Sequence, residues 1–193
     1  MRNSQGRNLD PPVIPDELME NILKELDKLD APFLKYLDKE LTLEWLPDDE
    51  SRLGLTRFEL EANELYRRRR LNAPPGKITI GLNSILVDDN KLLQHTLAHE
   101  ILHAAGLLDH DGIHSKIVRK VAPPPKLKES IVLKKIRQEV LAGLPERQWI
   151  CGSCGFTWER KRVTRPTRCP KCAKPARVKV SPTGSNTRFF SAH

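Results

Sequence analysis

Long hydrophobic runs are missing from this chain of 193 residues, and none approaches the roughly 20 apolar residues that a membrane-crossing helix needs. No N-terminal stretch carries the basic-then-apolar pattern of a secretory signal. The expected location is therefore cytoplasmic (nucleoid-associated) or nuclear, and not secreted. Cysteines number four, all between Cys151 and Cys172, so none is left for a catalytic thiol. Two disulfides in one short segment of an unsecreted chain are not expected. Methionines number two, Met1 and Met19, so no methionine-bearing turn can follow a motif in the second half. Acidic residues are scarce in one segment. From Cys151 to Val180 the single acid Glu159 faces nine bases: Arg160, Lys161, Arg162, Arg165, Arg168, Lys171, Lys174, Arg177 and Lys179. No internal repeat is visible.

What is present begins with His99-Glu100-Ile101-Leu102-His103, an HExxH motif in a segment that reads as helix. Residues four apart on an α-helix lie ~40° apart around the axis and ~6 Å along it. Both imidazoles therefore point the same way and can bind one Zn²⁺, leaving room for a third ligand and a water. Glu100, outside the ligand pair, is placed to act as the general base. Leu93, Leu97 and Ile101, widened by Leu92, Leu102 and Ala105, predict a helix buried on most sides. Asp88 and Asp89 mark its start, and Gly106 followed by Asp109-His110-Asp111-Gly112 marks its end. His95 continues the face by one turn, but ligands on three consecutive turns would not converge on one ion, so it reads as a packed histidine.

Three residues beyond the helix are candidates for the third ligand. His114 opens a second amphipathic stretch after a loop long enough to return the chain to the metal, and it is favoured. Asp109 sits where the HExxHxxGxx(H/D) pattern of metzincins would place a ligand. His110 is one residue off that pattern. A metzincin-like peptidase without a nucleic-acid role is one alternative for the whole chain, weakened by the absent methionine turn.

The second signal is Cys151-x-x-Cys154 and Cys169-x-x-Cys172, fourteen residues apart. Two such knuckles supply four thiolates for a closed structural zinc site. Net charge is +8, and its concentration around these cysteines, beside Trp149, Phe156 and Trp158, is what phosphate attraction and base stacking require. DNA is therefore an expected partner, with Arg160, Lys161, Arg162, Arg165, Arg168 and Lys171 as candidate contacts. A small ribbon could equally use Trp149 and Phe156 as core. Arg67–Arg70 forms a second basic cluster, ordinarily a solvated face. A third reading of the chain is a non-catalytic zinc-containing nucleic-acid-binding protein.

The expected order of parts is a disordered tail over 1–14, a metal-binding domain over 15–122, a Pro-rich linker and connecting helix over 123–148, a zinc ribbon over 149–180, and a second disordered tail over 181–193. Within the domain, Pro15-Asp16-Glu17 starts a helix. Leu41–Trp45, Leu53–Phe58 and Lys77–Leu82 read as strands. The fold class is α+β: a small, mostly antiparallel sheet with a zincin-type HExxH helix, then the ribbon.

Taken together, the strand ending in Trp45, Ile78-Thr-Ile-Gly-Leu82 with Asn83-Ser84, the HExxH helix, the later histidine and the CxxC…CxxC ribbon resemble the SprT-like metalloprotease family, of the Spartan type, from about Leu41 to Lys174. The resemblance departs at Ser115, where the family usually has glycine after its third histidine. It implies a zinc protease that cleaves proteins bound or crosslinked to DNA, hence a role in DNA-protein crosslink repair. It also implies that His99, His103 and His114 bind the catalytic zinc, that Glu100 is the base, and that Cys151, Cys154, Cys169 and Cys172 bind a structural zinc.

Overall fold

The computed structural model describes residues 9–47, 49–144 and 148–174, together with the backbone of 178–180. The chain divides between Val132 and Leu133 into two compact units, a break that falls inside the expected connecting helix. Residues 1–8 and 181–193 of the expected tails lie outside the described residues. Residues 9–15 form no regular element, and the Trp45 indole donates to the Asp10 carbonyl at 2.7 Å.

The first unit is α+β. Helix α1 (Asp16–Leu26) buries Leu18, Ile22 and Leu26, the stripe that its apolar periodicity dictates. A 3-10 turn at Leu34–Tyr36 and the short α2 (Leu37–Glu40) lead into β1 (Leu41–Trp45). Then come β2 (Gly54–Phe58), α3 (Ala62–Leu71) and β3 (Ile78–Leu82). The sheet order is β1-β3-β2.

This sheet corrects one expectation. It is mixed rather than mostly antiparallel: β1 runs parallel to β3, with Leu43 opposite Ile80, while β2 runs antiparallel to β3, with Thr56 opposite Ile80. Between β1 and β3 the chain makes one strand and one helix, and that crossover returns β3 in the direction of β1. Side-chain alternation has the same period in both pairings, so the sequence pattern does not distinguish them.

β3 is the central strand and Ile78, Ile80 and Leu82 are fully buried. Its other face is covered at Gly81, where an added Cβ would run into the Leu46 side chain. Helix α4 (Asn90–Ala104) packs on β2 and β3, burying Leu92, Leu97, Ala98, Ile101 and Leu102. Helix α5 (Gly112–Val121) packs against α1 and α4 through Ile117 and Val118. In the segment after Pro123–Pro125, Ser130 is fully buried and donates its hydroxyl to Asp89. Among the described residues no helix is long and apolar enough to cross a membrane.

The second unit holds most of α6 (Ile131–Ala142) and a small sheet of β4 (Gln148–Cys151), β5 (Thr157–Glu159) and β6 (Val178–Val180) in the order β5-β4-β6, all antiparallel. Arg137 on α6 donates to the Lys161 carbonyl, tying the helix to the loop after β5.

Candidate metal centres

The first centre is built by how α4 begins and ends. Asp89 caps it, its carboxylate accepting the Leu92 N–H at 3.1 Å, while Ser130 bonds the other carboxylate oxygen. At the far end Gly106 adopts φ +103°, with Gly106 N–H to His103 O at 2.9 Å and Leu107 N–H to Leu102 O at 3.0 Å. This paired closure satisfies the last carbonyls and needs a left-handed residue, hence glycine. It also swings the Leu107 carbonyl beneath His103, whose Nδ1 donates to it at 2.8 Å. With its proton held on Nδ1, His103 presents a bare lone pair on Nε2.

Helix α5 delivers the third imidazole. Asp111 caps it by accepting the His114 N–H at 2.8 Å, which aims His114 inward, where it is 1% exposed. The His114 Nε2 is buried with no hydrogen-bond partner. The ligand atoms of His99, His103 and His114 lie within 4.8 Å of one another. Asp109 is exposed and outside that group, and His95 is held elsewhere, its Nδ1 2.7 Å from the Ala122 carbonyl. His110 is likewise exposed and outside that group of three, although its Nε2 lies 3.0 Å from that of His99 and 3.1 Å from that of His103.

A cation fits this donor set. A tetrahedral zinc with Zn–N of 2.0–2.1 Å separates its ligand atoms by about 3.3–3.4 Å, and the His99 and His103 Nε2 atoms are 3.2 Å apart. The orphaned His114 nitrogen has the buried lone pair such an ion would take up. Burial, reinforced by the neighbouring imidazoles, pushes His99 down to about 3. Burial likewise pushes His114 down to about 4 and lowers His103. All three are therefore neutral at ordinary pH, the form that binds metal.

Glu100 shares a cleft of about 350 Å³ with His99, His103 and His110, walled by Gly54, Leu55, Thr56 and Phe58 of β2. It is 6% exposed, and burial raises its carboxyl pKa against the opposing pull of the Thr56 hydroxyl. Thr56 Oγ1 lies 2.7 Å from Glu100 Oε2 and 3.0 Å from the Glu100 carbonyl, so its single hydroxyl proton is shared between them, with the shorter contact to the carboxylate. Sequence reasoning missed Thr56 and Gly54, which stand 44 residues or more before Glu100 and carry no motif. It also missed the role of Asp111, although an Asp three residues before His114 is a legible cap signal.

The second centre gathers Cys151, Cys154, Cys169 and Cys172, all free thiols. Sγ separations are 3.7 Å for Cys151–Cys172 and 3.8 Å for Cys154–Cys169. A tetrahedral zinc with Zn–S of about 2.3 Å requires roughly 3.8 Å. The two knuckles repeat one geometry. The N–H groups of Ser153 and Lys171 each donate to the first sulfur of their knuckle at 3.4 Å. Gly155 and Ala173 then close each turn at φ 70° and 54°, donating to Cys151 O and Cys169 O at 2.9 and 3.0 Å. The Ser153 and Cys154 backbone N–H groups hold the Cys151 thiol down at about 6.

Around this centre Trp149 is buried and belongs to the small core, opposite Trp158 on β5. Phe156 is 36% exposed and stacked beside Trp158 at 6.1 Å. Arg160 lies over the Trp149 ring at 4.6 Å and bonds the Val163 carbonyl at 2.6 Å, so it braces the module. Lys161, Arg162, Arg165, Arg168 and Lys171 are exposed. The first four border a cleft of about 610 Å³ that also reaches Trp149 and Trp158. Arg177 and the Lys179 side chain lie outside the described residues. The other basic cluster lies on α3, where Glu64 bonds Arg68 at 2.9 Å and Arg67 at 3.3 Å.

Comparison of the chain with protein-family models and with curated proteins returned no match to either.

Proposed function

We propose that this chain is a zinc-dependent endopeptidase of the SprT-like kind, acting on proteins bound or crosslinked to DNA. The observation that carries the reading is one buried carboxylate, Glu100, held by Thr56 in the same cleft as His99 and His103. A purely structural metal site has no use for that acid or for the open cleft beside it. Zinc bound by His99, His103 and His114 would supply Lewis acidity toward a scissile carbonyl. Glu100 accepts a proton from the attacking water and returns it to the leaving amine, a task suited to a carboxyl raised by burial yet steadied by one hydrogen bond. β2 lies at the edge of its sheet among the described residues, so its backbone is available to hold an extended peptide along the cleft. That geometry favours a protein substrate over a small ester or amide.

The DNA part of the reading rests on the exposed bases of the ribbon, which attract phosphates, and on Phe156 and Trp158, which offer faces for stacking. The test is cleavage of a DNA-binding protein with and without single- and double-stranded DNA, beside Glu100→Gln. The expected outcome is DNA-stimulated cleavage by the parent and none by Glu100→Gln, with both proteins retaining two metal equivalents. Equal cleavage by Glu100→Gln would refute the mechanism. Removal of residues 149–193 should weaken DNA binding and flatten its salt dependence. An unchanged salt slope would transfer the DNA role elsewhere.

A further inference from the structure

A protease of this type needs three protein ligands and one position left open, yet four imidazoles meet here. The ring centres of His99, His103, His110 and His114 all lie 4.5–5.6 Å apart. The fourth member, His110, is the anomaly. Its Nε2 closes a triangle with those of His99 and His103 whose edges are 3.0, 3.1 and 3.2 Å, near the spacing of atoms that share one metal. It is no passive neighbour of the buried site, because it is exposed, comes from the loop between α4 and α5, and lines the mouth of the cleft beside Glu100. His114 is buried and takes no part in the cleft wall. The two additional imidazoles thus serve the HExxH pair differently, one buried in the fold and one at the opening.

We propose that His110 is a fourth, displaceable ligand of this metal, closing the site at rest and giving way when a substrate carbonyl or another oxygen donor enters the cleft. The bond chemistry balances without any further reagent: a neutral imidazole nitrogen leaves the metal as an oxygen lone pair arrives. The loop has the means to yield, because its anchors lie at its two ends. The Gly106 turn and the Asp111 cap bracket it, and both can stay in place while the residues between them shift. This inference rests on the metal-binding part of the proposed function and does not depend on proteolysis or on DNA.

The experiment uses full-length protein carrying isotope-labelled histidine and loaded with the NMR-active isotope of cadmium, a zinc surrogate. The ribbon's cadmium, bound by sulfur, gives a separate signal with no coupling to imidazole nitrogen. The histidine-site cadmium should couple to four imidazoles in the parent and to three in His110→Ala, with Asp109→Ala as a loop control that keeps four. Saturating acetohydroxamate, a bidentate oxygen donor, should remove the His110 coupling alone. Zinc affinity, read by chelator competition, should fall by at least about tenfold in His110→Ala, while acetohydroxamate should bind that variant more tightly than the parent. Three couplings in the parent, with acetohydroxamate affinity unchanged by His110→Ala, would remove His110 from the metal while leaving the site itself intact. Four couplings that survive acetohydroxamate would make His110 a permanent ligand and overturn its displacement. Absence of any histidine-bound cadmium would overturn the metal site together with this proposal.

Discussion

Adding one methyl group at Gly54 should disable the carboxylate while leaving the imidazoles in place. An alanine Cβ there would lie 2.7 Å from Glu100 Oε1, 2.9 Å from Glu100 Cγ and 2.6 Å from Thr96 Cγ2. To reach an ordinary contact of 3.4 Å the carboxylate must retreat by about 0.7 Å. A displacement approaching 1 Å of a catalytic group costs on the order of 10²-fold in rate, and overpacking of this kind costs ~1–3 kcal/mol of stability. Gly54→Ala should therefore retain both metals, melt a few degrees lower and cleave roughly 10²-fold more slowly. Metal analysis, a thermal melt and kcat/KM on an unfolded protein substrate measure the three effects. The double variant Gly54→Ala with Thr96→Ser separates causes, since losing the Thr96 methyl relieves one overlap and leaves the other. It should regain stability without regaining rate. Activity within a few-fold of the parent in Gly54→Ala would refute the idea that β2 holds Glu100 in register.

Thr56→Val removes the hydroxyl 2.7 Å from Glu100. A hydrogen bond to a charged group is worth ~1.5–3 kcal/mol, or about one to two pKa units, so the acid limb of the pH–rate profile should move up by that amount and Thr56→Ser should restore it. Metal-free protein should lose stability in acid. His99 and His114 are held at about 3 and about 4, below the ordinary 6.5, so unfolded chains bind protons that the folded state refuses. This contribution is full above 6.5 and falls as pH drops from there toward about 3, the lower of the two folded values, a trend that denaturant titrations would follow and that a flat profile would contradict. Ala173→Gly relieves a left-handed backbone that costs an L-residue ~1–2 kcal/mol, offset by ~0.5–1 kcal/mol of chain entropy. The ribbon's zinc affinity should rise a few-fold in chelator competition, and Gly155→Ala should lower it.

The sequence by itself determined those features whose physics is local. HExxH on a 3.6-residue repeat puts two imidazoles on one face whatever surrounds the helix, and Asp89 caps that helix as an aspartate at such a position should. Each CxxC knuckle keeps its own two cysteines side by side because it closes within four residues, while bringing the two knuckles together is a tertiary outcome. The alternating Ile78, Ile80 and Leu82 marked a buried strand for the same reason. Tertiary structure decided everything that depends on residues meeting across the chain. Parallel pairing of β1 with β3 came from the path of the crossover, which side-chain alternation does not encode. Thr56 and Gly54 became partners of Glu100 because β2 packs under α4. Three residues after the helix, Asp109, His110 and His114, were all within reach of the His99–His103 pair by loop length alone. The Asp111 cap turned His114 inward, burying its nitrogen without a partner, while Asp109 was left outside in solvent. His110 was carried to the mouth of the cleft by the path of that loop, an outcome set by packing rather than by spacing.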